Sequence, residues 1–194
     1  MSEDVFAPKD AALRAVGRTV VNFQRLEHNL KILARLGPIE GTLSKIQRDI
    51  ERRAEKAASF TLGQAIYAWL EAIDIDRPQA IPTNDLFEPT LRGTFSIGQD
   101  SDGRRAHGET LKALLEIRNN LVHGGLVKFD WESRSDCESL VEVLTDLNES
   151  IVSELDFLAV IAKGMQSIRE EDFEIEESDV PNEWILTTRS KSGA

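Results

Sequence analysis

An arginine, an amide and a histidine stand close together near the middle of the chain, just before a pair of glycines. Arg118 and Asn119 are followed by His123, and Gly124 and Gly125 come next. The guanidinium of arginine stays positively charged at physiological pH and binds phosphate through paired N–H groups. The imidazole of histidine exchanges protons near neutral pH. Because such a pair supports acid–base chemistry without a metal, we predict that Arg118, Asn119 and His123 are catalytic.

The spacing of apolar residues predicts that this motif lies at the C-terminal end of a helix over residues 105–123. Leu111 and Leu114 recur one turn apart, and Arg118 continues the same apolar stripe. The two glycines are expected to end the helix in the left-handed conformation, which costs glycine little. A guanidinium on an apolar stripe needs a partner, and the matching position on the first predicted helix is Glu27. We therefore predict a buried ion pair in which Glu27 orients Arg118.

The motif as a single copy does not form a closed pocket. Five residues on an ideal helix turn the chain so that Arg118 and His123 lie about 140° apart. Two copies meeting across a symmetric helix contact bring two arginines and two histidines around one phosphodiester. A homodimer with the motif at its interface is the expected arrangement that would supply these groups together.

The pattern of the whole chain predicts an all-α fold. Apolar residues recur every three or four positions in five segments, several of them separated by glycine or proline. The predicted helices cover residues 10–36, 39–58, 62–73, 105–123 and 133–168. We expect an antiparallel bundle of about five helices with a long loop between the third and fourth.

Two regions and several local features complete this prediction. The bundle is expected to span residues 1–170, and an acidic strap with a frayed end residues 171–194. Short strands are predicted at 173–175 and 184–187, a short extended segment at 126–131, and the long loop over 74–104. Thr61 and Gln64 have the spacing of a capping box at the start of the third helix.

Composition excludes several classes of protein. The 194 residues include one cysteine, Cys137, so an internal disulfide framework is excluded. No apolar run is long enough to span a bilayer, the acidic N-terminus lacks a signal-peptide core, and we predict a cytoplasmic protein without membrane association. One cysteine and three histidines make a metal site improbable, and phosphate-loop and zinc-protease motifs are absent. No cofactor or metal is therefore expected.

Charge is distributed unevenly along the chain. The net charge is −11, yet residues 130–180 alone carry −13 and residues 1–129 carry +1. The residues predicted to bind the phosphates of a substrate are Arg104, Arg105 and Lys112. The acidic third is either a solvated surface or a docking surface for a basic partner such as an antitoxin. His107 is predicted to be a surface residue and Cys137 a passive thiol.

Residues 118–123 resemble the Arg–polar–x–x–x–His motif of HEPN domains, and the all-helical layout of about 160 residues is similar to that family. The resemblance implies a small dimeric helical bundle that acts as a metal-independent endoribonuclease in toxin–antitoxin or phage-defence systems. Arg118 is then expected to stabilise the pentacoordinate phosphate and Asn119 to position the site. His123 is expected to take the proton of the ribose 2′-hydroxyl or to protonate the leaving oxygen. The expected product end is a 2′,3′-cyclic phosphate.

Two other interpretations of the same residues stay open. In the first, the chain is a noncatalytic HEPN-like module that uses the motif surface to bind a protein or nucleotide partner. In the second, the protein is purely structural, Arg118 is a folding feature and His123 caps a helix. An enzyme loses activity when His123 is replaced, whereas a structural Arg118 costs stability when replaced.

Overall fold

The computed structural model describes residues 3–36, 39–73, 91–93, 100–170, 173–177 and 184–188, and its side chains over 7–35, 42, 45–73 and 100–164. Five α-helices make up most of this chain and confirm the predicted all-α fold. They are α1 (Glu3–Leu33), α2 (Leu43–Ala58), α3 (Leu62–Ala72), α4 (Ser101–Asn120) and α5 (Arg134–Glu170). A short 3-10 turn, Ala34–Leu36, follows α1, and a π-turn, Leu121–Gly125, follows α4.

Two small antiparallel strand pairs accompany the helices. β1 (Ile39–Gly41) pairs with β2 (Leu91–Gly93), which lies inside the predicted 74–104 loop; residues 74–90 and 94–99 are outside the described residues. β3 (Phe173–Glu177) pairs with β4 (Trp184–Thr188), where short strands were expected. No strand forms over 126–131, where a short extended segment was predicted; turns and a bend occupy residues 126–128, and another turn begins at Trp131. There Asp130 accepts hydrogen bonds from the backbone N–H groups of Glu132 (3.0 Å) and Ser133 (3.2 Å).

Side-chain caps fix the starts of α3 and α4. The predicted capping box is confirmed: the Thr61 N–H donates to Gln64 Oε1 at 2.8 Å, and the Gln64 N–H donates back to Thr61 Oγ1 at 3.4 Å. α4 begins four residues earlier than predicted. The reason is Asp100, whose carboxylate accepts from the Gly103 N–H at 2.7 Å and so satisfies one of the open donors of the first turn.

The apolar core lies between α1, α3, α4 and α5. Its fully buried members include Leu26, Leu30, Ile66, Trp69, Leu111, Ile151 and Leu158. Close packing between α3 and α4 uses two glycines: a Cβ on Gly63 would lie 3.3 Å from Leu115, and one on Gly108 would lie 3.4 Å from Leu70. Since Gly63 faces Leu115 while Leu70 faces Gly108, these two helices run antiparallel.

A buried polar chain joins α1 to α5. Asn22 Nδ2 donates to Asn148 Oδ1 at 2.8 Å, and Asn148 Nδ2 donates to Thr19 Oγ1 at 2.8 Å. The three side chains are at most 7% exposed. Further towards the start of both helices, Lys9 forms an ion pair with Glu132. From the Lys9–Glu132 contact to the Asn22–Asn148 contact, the residue numbers of both partners increase. The helices α1 and α5 therefore run parallel, as the first and fifth members of an alternating bundle do.

Replacing Asn148 by alanine is expected to lower the free energy of unfolding by about 2 kcal/mol, since buried donors and acceptors on α1 then lose their partners. Urea denaturation monitored by circular dichroism measures this loss. The matched control is Asn120→Ala, an exposed asparagine on α4, with an expected change of no more than about 0.5 kcal/mol. Equal effects of the two substitutions would contradict a stabilising role for the polar chain.

Candidate functional site

The motif lies where α4 passes into the π-turn. The prediction that the glycines are left-handed is wrong, because neither Gly124 nor Gly125 has a positive φ of that kind. The need for glycine at position 125 is steric instead: a Cβ there would lie 3.2 Å from the backbone oxygen of Asn120. In the π-turn, Leu121–Gly125, the helix takes up one extra residue per turn before it ends. Such π-turns are frequent at functional sites.

The three predicted catalytic residues differ in exposure. Arg118 and Asn119 are half-buried, and His123 is exposed. Arg118 Nη1 donates to Asn119 Oδ1 at 3.1 Å, so the amide holds the guanidinium from the neighbouring position. Among the described residues, Arg118 forms no ion pair and His123 no hydrogen bond. The arrangement presents a positioned cation and an unengaged imidazole at the end of one helix.

The predicted ion pair between Glu27 and Arg118 is wrong. Glu27 instead pairs with Lys31 at 2.8 Å along α1. Residues four apart on a helix face each other without any contribution from another element, so this local pair forms independently of how α4 packs. The positive charge of Arg118 is consequently not compensated by a carboxylate of the described chain.

The predicted phosphate-binding residues do not all lie together. Arg105 and Lys112 are exposed and seven residues apart, and Asn119 follows at the same interval. Seven residues are close to two helical turns, so these three side chains lie along one side of α4 about 10 Å apart. Arg104 is half-buried and points away from that side by about 100°. Arg105 also forms an exposed ion pair with Asp102 at 3.1 Å.

His107, predicted to be a surface residue, is instead a core residue that is 6% exposed. The indole N–H of Trp69 donates to His107 Nε2 at 3.0 Å, and His107 Nδ1 lies 2.9 Å from Glu154 Oε2. The His107 ring also packs against Phe157, with ring centroids 4.8 Å apart. Because the indole can only donate, Nε2 carries no proton, and the Nδ1–H faces the carboxylate. The imidazole ring is therefore held between Trp69 on α3 and Glu154 on α5.

The sequence contains a signal for this buried triad. His107 lies four residues before Leu111 and seven before Leu114, on the apolar stripe of α4. Glu154 lies between Ile151 and Leu158 on the inward stripe of α5. A polar residue within an apolar stripe needs a buried partner. In the fold, His107 and Glu154 are partners of each other.

Cys137 is fully buried at the start of α5, with its thiol 3.8 Å from the carbonyl oxygen of Trp131. Burial raises the pKa of the Cys137 thiol, and the neighbouring carboxylate of Asp136 raises it further, whereas Lys9 acts in the opposite direction. A protonated, inaccessible thiol is a poor nucleophile. Cys137 therefore contributes packing rather than chemistry.

Over the described parts of the chain, no three histidine, cysteine or acidic side chains are grouped so that they could hold a metal ion. Within the same residues, no helix combines the length and the apolar character needed to cross a membrane.

Replacing His107 by alanine is expected to lower the free energy of unfolding by about 3 kcal/mol, because the buried Glu154 carboxylate and the Trp69 N–H lose their partner. Thermal and urea denaturation measure the effect, with the exposed His28→Ala as the matched control. Any activity that depends on His123 is expected to persist in the folded fraction, since His107 lies about 16 Å from Arg118 along α4. A His107→Ala protein of normal stability would contradict the structural role.

Comparison with protein-family models, with curated proteins and with solved structures gives no match for this chain. The similarity to HEPN domains therefore rests on the motif residues and the helical layout alone. Family membership stays a prediction.

Proposed function

We propose that this protein is a cytoplasmic, metal-independent endoribonuclease of the HEPN type, acting as a toxin or defence effector. The observation that carries the proposal is the half-buried guanidinium of Arg118, which contacts Asn119 but no carboxylate of the described chain. Holding an uncompensated cation away from water is costly. An anionic ligand offsets that cost, and a phosphodiester fits the planar fork of an arginine.

Association of two copies completes the site in this proposal. Ile117 and Val122 flank the motif on α4 and the π-turn and are 43% and 47% exposed, and Val127 beyond them is more exposed still. Exposed apolar side chains around a polar centre are typical of an interaction surface. A two-fold contact there places two copies of Arg118 and two of His123 around one phosphate.

In this proposal, the two copies of Arg118 and the two copies of His123 carry out the reaction. One His123 imidazole takes the proton of the ribose 2′-hydroxyl, whose oxygen then forms a bond to phosphorus. The bond from phosphorus to the 5′-oxygen breaks, and the second His123, as imidazolium, protonates that leaving oxygen. Both Arg118 side chains stabilise the added negative charge on the pentacoordinate phosphate. The products are a 2′,3′-cyclic phosphate and a 5′-hydroxyl, and DNA, without the 2′-hydroxyl, is resistant.

The exposed side of α4 extends this site along the RNA. Arg105 and Lys112 precede Asn119 at intervals of about 10 Å; exposed Lys112 can contact a neighbouring phosphate directly, and Arg105 can do so by exchanging its exposed ion pair with Asp102 for a phosphate. These contacts are expected to add affinity that weakens as salt rises, without adding base specificity.

Replacing His123 by alanine is expected to reduce RNA cleavage by roughly 10²–10⁴-fold, the usual contribution of a general acid or base. The assay follows end-labelled cellular RNA with EDTA present and identifies the product ends by mass spectrometry. His28→Ala, an exposed histidine on α1, is the matched control and is expected to cut like the wild type.

Two outcomes contradict this assignment. Cleavage by the His123→Ala protein at the wild-type rate excludes His123 as a catalytic group. No cleavage by wild-type protein across several RNA classes favours the noncatalytic module, which would keep its partner after the same substitution.

Replacing Arg118 by alanine is expected to abolish cleavage while changing the free energy of unfolding by less than about 1 kcal/mol, because no carboxylate among the described residues pairs with it. Parallel denaturation and cleavage assays measure the two effects. The control is Arg52→Ala, an exposed arginine on α2 that pairs with Asp49. A large loss of stability with Arg118→Ala would support the structural interpretation of the motif.

A further inference from the structure

The buried polar chain joins a basic part of α1 to α5, which is acidic over most of its length. Residues 11–36, covering most of α1 and the turn after it, contain five arginines or lysines and one acid. Residues 135–162 of α5 contain seven acids and no arginine or lysine. The basic and the acidic helix lie side by side in one protein.

On each helix some of the exposed charges form a stripe, whereas Asp10 on α1 and Asp136, Glu142 and Asp146 on α5 are exposed outside it. The basic stripe on α1 consists of Arg14, Arg18, Val21 and Arg25, all exposed. The acidic stripe on α5 consists of Glu138, Thr145, Glu149, Val152 and Asp156, all exposed. Arg14 and Glu138 pair with residues of their own helices. Arg18, Arg25, Glu149 and Asp156 form no ion pair within the described part of the chain.

The two stripes lie on the same side of the helix pair. Asn22 and Asn148 mark the directions in which α1 and α5 face each other. On an ideal helix the basic stripe lies roughly 70° from Asn22, and the acidic stripe lies roughly 75° from Asn148 in the opposite rotational sense. Because the helices are parallel, opposite rotations from facing directions lead to one side. The apolar residues of α1 and α5 that face α3 and α4 lie on the other side.

We propose that this two-striped face binds a second copy of the chain across a two-fold axis parallel to α1 and α5. That operation places the basic stripe of each copy over the acidic stripe of its partner and keeps the helices parallel. The rotation also leaves the position of every residue along the axis unchanged. Asn148 contacts Thr19 and Asn22, so Arg25 stands level with the interval between Glu149 and Asp156, and it meets both carboxylates of the partner.

The face has the other properties of such an interface. Val21 and Val152, 53% and 42% exposed, supply an apolar centre between the charges. Two helices of about 30 Å, packed side by side, offer roughly 600 Å² per copy, or about 1,200 Å² in total, at the lower end of specific interfaces. An RNA strand does not fit this face, because the acidic stripe lies beside the basic one and repels phosphates.

This contact is separate from the motif. The motif is on α4, which packs behind the α1 and α5 pair, so it plays no part in the two-striped face. The two-striped contact forms whether or not the motif cleaves RNA.

Charge reversal with recombination tests the proposal. The first variant combines Arg18→Glu with Arg25→Glu, and the second combines Glu149→Lys with Asp156→Lys. Sedimentation equilibrium of the full chain at about 50 mM salt is expected to give half the wild-type mass for each variant alone. An equimolar mixture is expected to recover the wild-type mass, because both contacts between unlike variants are then attractive. Raising salt to about 1 M, where charges are screened within about 3 Å, is expected to weaken wild-type association at least tenfold.

The controls separate association from folding. Arg52→Glu with Lys56→Glu, an equal charge change on α2, is expected to keep the wild-type mass, and circular dichroism checks that each variant is folded. The proposal is overturned if each reversed variant keeps the wild-type mass, or if mixing fails to restore it. If the wild-type chain assembles as expected but does not cleave RNA, only the ribonuclease proposal is contradicted.

Discussion

Asn148 and its two partners on α1 hold together segments that are 126 and 129 residues apart in the chain. A shift of one residue along either helix would leave buried amide or hydroxyl groups without hydrogen bonds, and each unmade bond costs about 1–3 kcal/mol. The polar chain therefore fixes the direction, the level and the rotation of α1 against α5. The placement of every other surface on these helices follows from that, including the charged stripes, because a helix that cannot rotate presents fixed sides.

A second polar contact links the other helices to this pair. His107 on α4 lies between Trp69 on α3 and Glu154 on α5, inside the apolar core. Each partner lies within 3.0 Å of one ring nitrogen, so the histidine restricts the rotation of α4 as the asparagines restrict that of α1. The same stripe of α4 continues through Leu111 and Leu114 to Arg118. There the bundle ends, which leaves the arginine half-buried and its charge available.

The candidate site was predictable where it depends on residues close in sequence. The position of the motif at a helix end follows from the apolar spacing and from the two glycines, and the contact between Arg118 and Asn119 joins neighbouring positions. The predicted partner of Arg118 was wrong because Glu27 has a cation one turn away, and a local ion pair needs no particular packing of other helices. His107 was misassigned although its spacing from Leu111 indicated an inward position.

The sequence by itself determined the five helices, the capping box at Thr61 and Gln64, and the separation of basic and acidic segments, because periodicity, capping and charge order depend on residues within one or two turns. Only the tertiary structure decided that α1 and α5 lie parallel with Asn22 against Asn148, and that His107 meets Glu154. A period of 3.6 residues identifies which side chains face inward. What those side chains face depends on the level and rotation of another helix, which close packing of the whole core sets.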